Sequence, residues 1–184
     1  EALSARAVRT LTDADAAGWA GAARARLADA AAARGLLLRD LAATLIVAAA
    51  DPSGVLLAHV GDGAAAAEIG GCWRALSWPD QGEHAGETRF LTEEDPAIRT
   101  ASAGPVSALA LFTDGVERLV LDFAAETVHA PFFARMTGPL AEPGARRDPR
   151  LAAALRRWLA TEAVAARTDD DRALLLARLA ERSR

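Results

Sequence analysis

Three apolar stretches of this 184-residue chain each meet an aspartate at one end. The first runs into His59-Val60-Gly61-Asp62-Gly63. The second is Ala110-Leu111-Phe112-Thr113-Asp114-Gly115-Val116-Glu117. The third, residues 172–176, follows Thr168-Asp169-Asp170-Asp171. A carboxylate at the end of a buried strand costs free energy unless it is paired. Several converging on one place repel and raise each other's pKa. A hard divalent cation resolves both problems, because magnesium and manganese favour oxygen ligands. A glycine after an aspartate allows a sharp turn and close backbone approach. Taken singly, an Asp-Gly pair after a strand is most often only a turn, and Thr-Asp-Asp-Asp is a common start for a turn or helix. The three together, in this order, point to a metal site.

Elements must hold these residues in place. Thr12, Asp13 and Asp15 offer N-caps for a helix running to Arg34, with Gly35 as its stop. Residues 2–8 read as the end of an earlier helix. Residues 41–50 form an apolar run, and Asp51-Pro52-Ser53-Gly54 suits a tight turn. Residues 55–60 and 64–69 are further runs. Gly70-Gly71 is a hairpin signal, and residues 72–76 would be the return strand. These segments read as one antiparallel meander. Residues 77–88 form a polar loop with Pro79, Gly82 and Gly86. Residues 90–92 suggest a short strand, and 106–113 another strand ending at Asp114. Residues 116–121 and 127–140 read as helical. Residues 148–166 read as one amphipathic helix with Leu151, Leu155, Trp158 and Leu159 on one stripe. Residues 172–179 are strand or helix by periodicity alone. The runs rarely alternate with polar residues, so both faces of each sheet need cover. The expected fold is therefore α+β: two antiparallel sheets sandwiched between helix layers, in a single domain over residues 1–184.

Composition narrows the function. Apolar residues make up 52% and charged residues 25% of the chain, which excludes a disordered polymer. The net charge of -4 argues against a nucleic-acid binder, which would carry a basic face. The single cysteine, Cys72, forms no internal disulfide and excludes a cysteine-built zinc site. No apolar run reaches the roughly 18 residues of a membrane span, and a cytoplasmic location is expected. Lys and Tyr are absent and Ala is abundant, a pattern of GC-rich coding rather than of function. His59, in an apolar strand, reads as a satisfied core histidine. His84 reads as an exposed loop histidine rather than a proton donor, and His129 receives no role. Trp73 and Trp78 read as core or rim packing, and Glu93-Glu94-Asp95 as a solvated turn. Cys72 has no histidine partner nearby in sequence, so it is no thiol nucleophile. There is no serine nucleophile elbow and no phosphate-cradling glycine loop.

These segments resemble the metal-dependent protein phosphatase 2C family in its small bacterial branch. Val60-Gly61-Asp62-Gly63 is similar to the family's Val-Gly-Asp-Ser-Arg motif. Leu111-Phe112-Thr113-Asp114-Gly115-Val116 closely resembles its Leu-Xaa-Thr-Asp-Gly-Val motif. Asp170-Asp171-Arg172-Ala173 resembles its closing Asp-Asn-Xaa-Thr, and Thr44 the threonine of its Gly-Thr-Thr strand start. The resemblance spans residues 41–176. It implies a phosphatase that hydrolyses phosphoserine or phosphothreonine on phosphoproteins, through water activated by two manganese or magnesium ions. Carried over by position, Asp114 and Asp170 would bind the second metal. Asp62, with Asp114, would bind a weaker third metal, and Gly115 would support its ligand through the backbone. A partnership with a serine/threonine kinase is a further implication.

Some family features have no counterpart here. Gly63 and Ala64 replace Ser-Arg, and Ala173 replaces Thr. The upstream Asp-Gly segment and acidic residue that hold the first metal are missing, as are the upstream phosphate-binding arginine and catalytic histidine of some members. The expectation is a domain lacking its N-terminal strands, with apolar sheet edges that need cover. Either the missing part lies upstream of Glu1, or the chain is a non-catalytic regulatory or binding module that has lost the first metal site.

Overall fold

The computed structural model describes residues 7–80, 88–141 and 148–179. Its first long element is helix α1, Asp13–Arg34. A reciprocal capping box opens it: the Asp15 amide donates to the Thr12 hydroxyl, and the Thr12 amide donates to the Asp15 carboxylate. Gly35, left-handed at φ 66°, closes it.

Strands β1 (Leu45–Asp51) and β2 (Gly54–Val60) follow as a hairpin turning at Pro52-Ser53. Strands β3 (Ala64–Ile69) and β4 (Cys72–Ser77) form a second hairpin around Gly70-Gly71. The two hairpins do not continue one meander, and this corrects the sequence-based expectation. The first belongs to a sheet of order β1-β2-β5, where β5 is Arg99–Ala103. The second belongs to a sheet of order β4-β3-β6-β9, where β6 is Ala108–Phe112 and β9 is Leu174–Arg178. All pairings are antiparallel. The chain passes from one sheet to the other through Gly61-Asp62-Gly63, so Asp62 sits on the crossover at one end of the sandwich.

Strand alternation builds three layers of core. Val55 on β2 packs with Ala67 and Leu109 between the sheets. Leu56, Ala58 and Val60 face the other way, onto Ala16 and Ala20 of α1. Ala66, Ala110 and Phe112 face outward from the second sheet, onto Phe133 of helix α3, Ala130–Thr137. The rings of Trp73 and Phe133 stack there at 4.8 Å. Helix layers thus cover both outer faces, which is why the strands lack polar alternation.

Local expectations failed in four places. Residues 90–92 are not a strand. Leu91 is buried and its amide donates to the Ala43 carbonyl, while the Glu93 amide closes a turn onto Phe90. Residues 121–128 are a small hairpin, β7 (Leu121–Asp122) with β8 (Thr127–Val128), so the helix expected over 127–140 begins only at Ala130. The Asp122 carboxylate accepts from the amides of Ala124 and Ala125 and forms the turn. The expected helix over 148–166 is two helices, α4 (Pro149–Leu159) and α5 (Glu162–Ala165). The Thr161 hydroxyl donates to the Trp158 carbonyl at the break. Strand β5 was not anticipated. The helix expected over 2–8 lies mostly outside the described residues, which show a 3-10 turn at Val8–Thr10. His84 also lies outside them.

Candidate metal centre

Asp62, Asp114 and Asp170 lie at one end of the sandwich, near enough for Asp62 and Asp170 to act electrostatically on Asp114. Asp114 is the first residue of helix α2, Asp114–Val120, directly after β6. Asp170 lies on the loop that leads into β9. Thr113 ties these two segments together. Its amide donates to the Ala173 carbonyl (3.1 Å), its hydroxyl donates to the Asp171 carbonyl (3.2 Å), and the Ala173 amide donates to that hydroxyl (3.0 Å). Gly115 permits the approach: a Cβ there would overlap the Asp171 carbonyl oxygen.

Charge at the site is unbalanced. The Asp114 pKa is raised above the ordinary carboxylate value. Burial is the largest cause, and the Asp62 and Asp170 carboxylates add to it against the opposing Gly115 amide. Glu117, one helical turn beyond Asp114, is pushed up to about 6, first by burial and then by Asp114, with Asp62 adding and Arg118 opposing. Sequence reasoning did not place Glu117 in the site. The available signal was its spacing, since an i,i+3 pair shares one helix face.

Each aspartate keeps donor capacity. The Gly115 amide donates to Asp114 Oδ1 at 2.8 Å, which orients the carboxylate and leaves Oδ2. The Thr88 hydroxyl donates to Asp62 Oδ2 at 2.6 Å. The Asp171 amide donates to Asp170 Oδ1 at 2.9 Å.

The oxygen-only donor chemistry fits a hard divalent cation. Among the described residues, however, no three His, Cys, Asp or Glu side chains are gathered closely enough to hold a metal ion by themselves. A small hard ion needs no full protein shell. Magnesium is usually bound by one or two carboxylates, with waters and substrate phosphate completing the octahedron.

Beside the carboxylates the two sheets part around a mainly apolar cavity of about 320 Å³, lined by Thr44, Ile46, Gly63, Phe112, Thr113 and Leu174. Among the described residues, strands β1 and β9, which border it, are the outermost strands on that side of their sheets. Leu175 on β9 is 53% exposed.

His59 is fully buried on β2, in the layer between the sheets. Its Nδ1 lies 2.7 Å from the Ser77 hydroxyl. Trp73 is core and Trp78 half-buried. Cys72 is an exposed free thiol. No helix among the described residues is long and apolar enough to cross a membrane.

Known proteins are similar to this chain in sequence or in fold. A family model described as protein phosphatase 2C matches residues 1–160. Serine/threonine-protein phosphatase 3 of Escherichia coli is 36% identical over 161 residues, covering 86% of this chain. The chain spans 64% of that relative's length. Two solved structures resemble the fold. PppA of Pseudomonas aeruginosa has a TM-score of 0.50 at 18% identity, covering 92% of this chain and 74% of PppA. The catalytic domain of the serine/threonine protein phosphatase PstP, solved in complex with 2 manganese ions, has a TM-score of 0.50 at 17% identity, covering 88% of this chain and 69% of that one.

Proposed function

The chain belongs to the protein phosphatase 2C family, and on that premise we propose that it acts as a metal-dependent phosphatase on phosphoserine and phosphothreonine in proteins. The observation that carries the reading is the convergence of Asp62 and Asp170 on Asp114, with the Asp114 pKa raised. Carboxylates arranged in this way favour a divalent cation over bulk water. The relative named as a serine/threonine phosphatase and the manganese-bound neighbour support the same chemistry.

In this reading Asp114 and Asp170 hold manganese or magnesium, and Asp62 with Asp114 serves a weaker additional site. A divalent cation bound there supplies a water of lowered pKa and offsets the charge on the phosphate. The residues of this chain supply the placement. The Gly115 amide fixes the Asp114 carboxylate, Thr113 locks the Asp170 loop to β6, and Thr88 orients Asp62. Residues 1–184 act as one domain in the cytoplasm, and a serine/threonine kinase is the opposing enzyme for the same substrates.

The test is manganese-dependent hydrolysis of p-nitrophenyl phosphate, with Asp114→Asn as the control. Hydrolysis that needs manganese and disappears in the variant supports the reading. Absence of hydrolysis in folded protein, with manganese in excess, fits either an incomplete phosphatase or a non-catalytic module that keeps the fold, and the same assay on a chain spanning the relative's full length separates the two.

A further inference from the structure

The crossover that carries Asp62 is gripped by one guanidinium. Arg99 lies on β5, opposite His59 on β2 in the strand register. Its Nη2 donates to the Gly61 carbonyl at 3.1 Å and to His59 Nδ1 at 3.1 Å. Its Nη1 donates to the Trp78 carbonyl at 2.8 Å. Its Nε stands 4.0 Å from the Asp80 carboxylate, whose residue also donates its amide to the Gly61 carbonyl at 3.3 Å. Four segments therefore meet at one side chain: β5, β2, the crossover, and the chain leaving β4.

The histidine in this cluster has a determined tautomer. Arg99 can only donate, so His59 Nδ1 must accept, and the Ser77 hydroxyl donates to it as well. The ring proton is then on Nε2. His59 is a fixed acceptor that helps aim the guanidinium, rather than a metal ligand or a base.

Gly61 makes the grip consequential. Its φ of 104° is left-handed, and a Cβ there would overlap the Thr44 side chain. The crossover thus has an unusual backbone, and its carbonyl is held by two donors. The next residue is Asp62. Two of the three carboxylates sit on segments fastened by Thr113, and the third sits on the segment fastened by Arg99.

We propose that Arg99 is a positioning residue: it fixes the Gly61–Gly63 crossover so that the Asp62 carboxylate faces Asp114. This rests on the reading of Asp62 as a metal ligand. Only an arginine fits the role, because a planar fork serves three acceptors on different segments while a lysine ammonium is a point donor on a flexible stem.

The test uses Arg99→Lys, with Asp62→Asn and Asp114→Asn as references. Two quantities are read: manganese affinity by calorimetry without substrate, and amide hydrogen exchange along β2, β5 and the crossover. Arg99→Lys is expected to weaken the same manganese-binding step as Asp62→Asn, by about 10-fold. Exchange is expected to accelerate about 10-fold at residues 61–63, with β2 and β5 remaining protected. If Asp62→Asn weakens binding and Arg99→Lys does not, the grip is overturned while the metal reading stands. If exchange rises in parallel through β2 and β5, Arg99 is merely structural and the proposal fails. If neither aspartate variant alters manganese binding, the metal reading fails and takes this role with it. Should Arg99→Lys not fold, Arg99→Gln is read by the same two measurements and the same outcomes.

Discussion

Gly115 lies so close to the carbonyl oxygen of Asp171 that no side chain fits between them. This contact joins the first turn of α2 to the loop before β9, and so Asp114 to Asp170. The overlap is with backbone, so a flexible side chain cannot move aside to relieve it. Gly115→Ala is therefore expected to lower stability by about 1–3 kcal/mol, as overpacking does. It is also expected to push the Asp170 loop away and weaken manganese binding at least as much as Asp170→Asn. Denaturant unfolding and calorimetry check the two effects. Wild-type stability in Gly115→Ala would show that the loop yields freely.

Asp114 is crowded by like charge, and neutralising it should have opposite effects on stability and function. With no metal present, Asp114→Asn removes repulsion from Asp62 and Asp170. The site is largely solvent-screened, so the gain is expected to be about 1–2 °C in Tm, from half a kcal/mol or less. With manganese in excess the order should reverse, because wild-type protein gains stability through binding and the variant does not. Thermal melts with and without manganese measure both. A variant stabilised by manganese as much as wild type would remove Asp114 from the metal site.

Glu117 faces the same cluster with its pKa near 6. Glu117→Gln removes one more negative charge without touching the Asp114–Gly115 hydrogen bond. Manganese affinity is expected to fall by about two- to five-fold, a through-space loss at a partly exposed position. It should fall less at high salt, where the charge is screened. A salt-independent loss as large as that of Asp114→Asn would instead mark Glu117 as a direct ligand.

The aspartates were legible in sequence because each sits beside a strand end with a local signature: Gly on both sides of Asp62, Gly after Asp114, and a run of three Asp at Asp169–Asp171. Helix α1 was legible to its caps, since Thr12, Asp15 and Gly35 act within a few residues of each other. Strand β5 was not, because Arg-Thr-Ala-Ser-Ala has no apolar run and becomes a strand only through pairing with β2. The role of Arg99 was hidden for the same reason. Its acceptors are 21, 38 and 40 residues away. Two sheets were expected, but which strands belong to which escaped, since Gly61-Asp62-Gly63 reads equally as a hairpin turn or a crossover. It is a crossover here because β2 pairs with β1 and β5, and β3 with β4 and β6.

His59 makes stability depend on acidity. Burial chiefly, and then the Arg99 charge, lower its pKa from 6.5 to about 4. The unfolded chain therefore takes up this proton near pH 6.5, while the folded protein resists it until about pH 4. In that window the unfolded state binds more protons, so stability rises with pH. The contribution is fully present above pH 6.5 and is lost as pH falls through 4, a total of about 3 kcal/mol. In His59→Asn the amide oxygen can still accept from Arg99, but no proton is taken up. Its unfolding free energy is expected to change less between pH 6.5 and 4 than that of wild type, by about 3 kcal/mol. Urea unfolding of both proteins across this range is the measurement. Parallel pH profiles would mean that His59 is protonated in the folded state at ordinary cost, contrary to its buried setting beside Arg99.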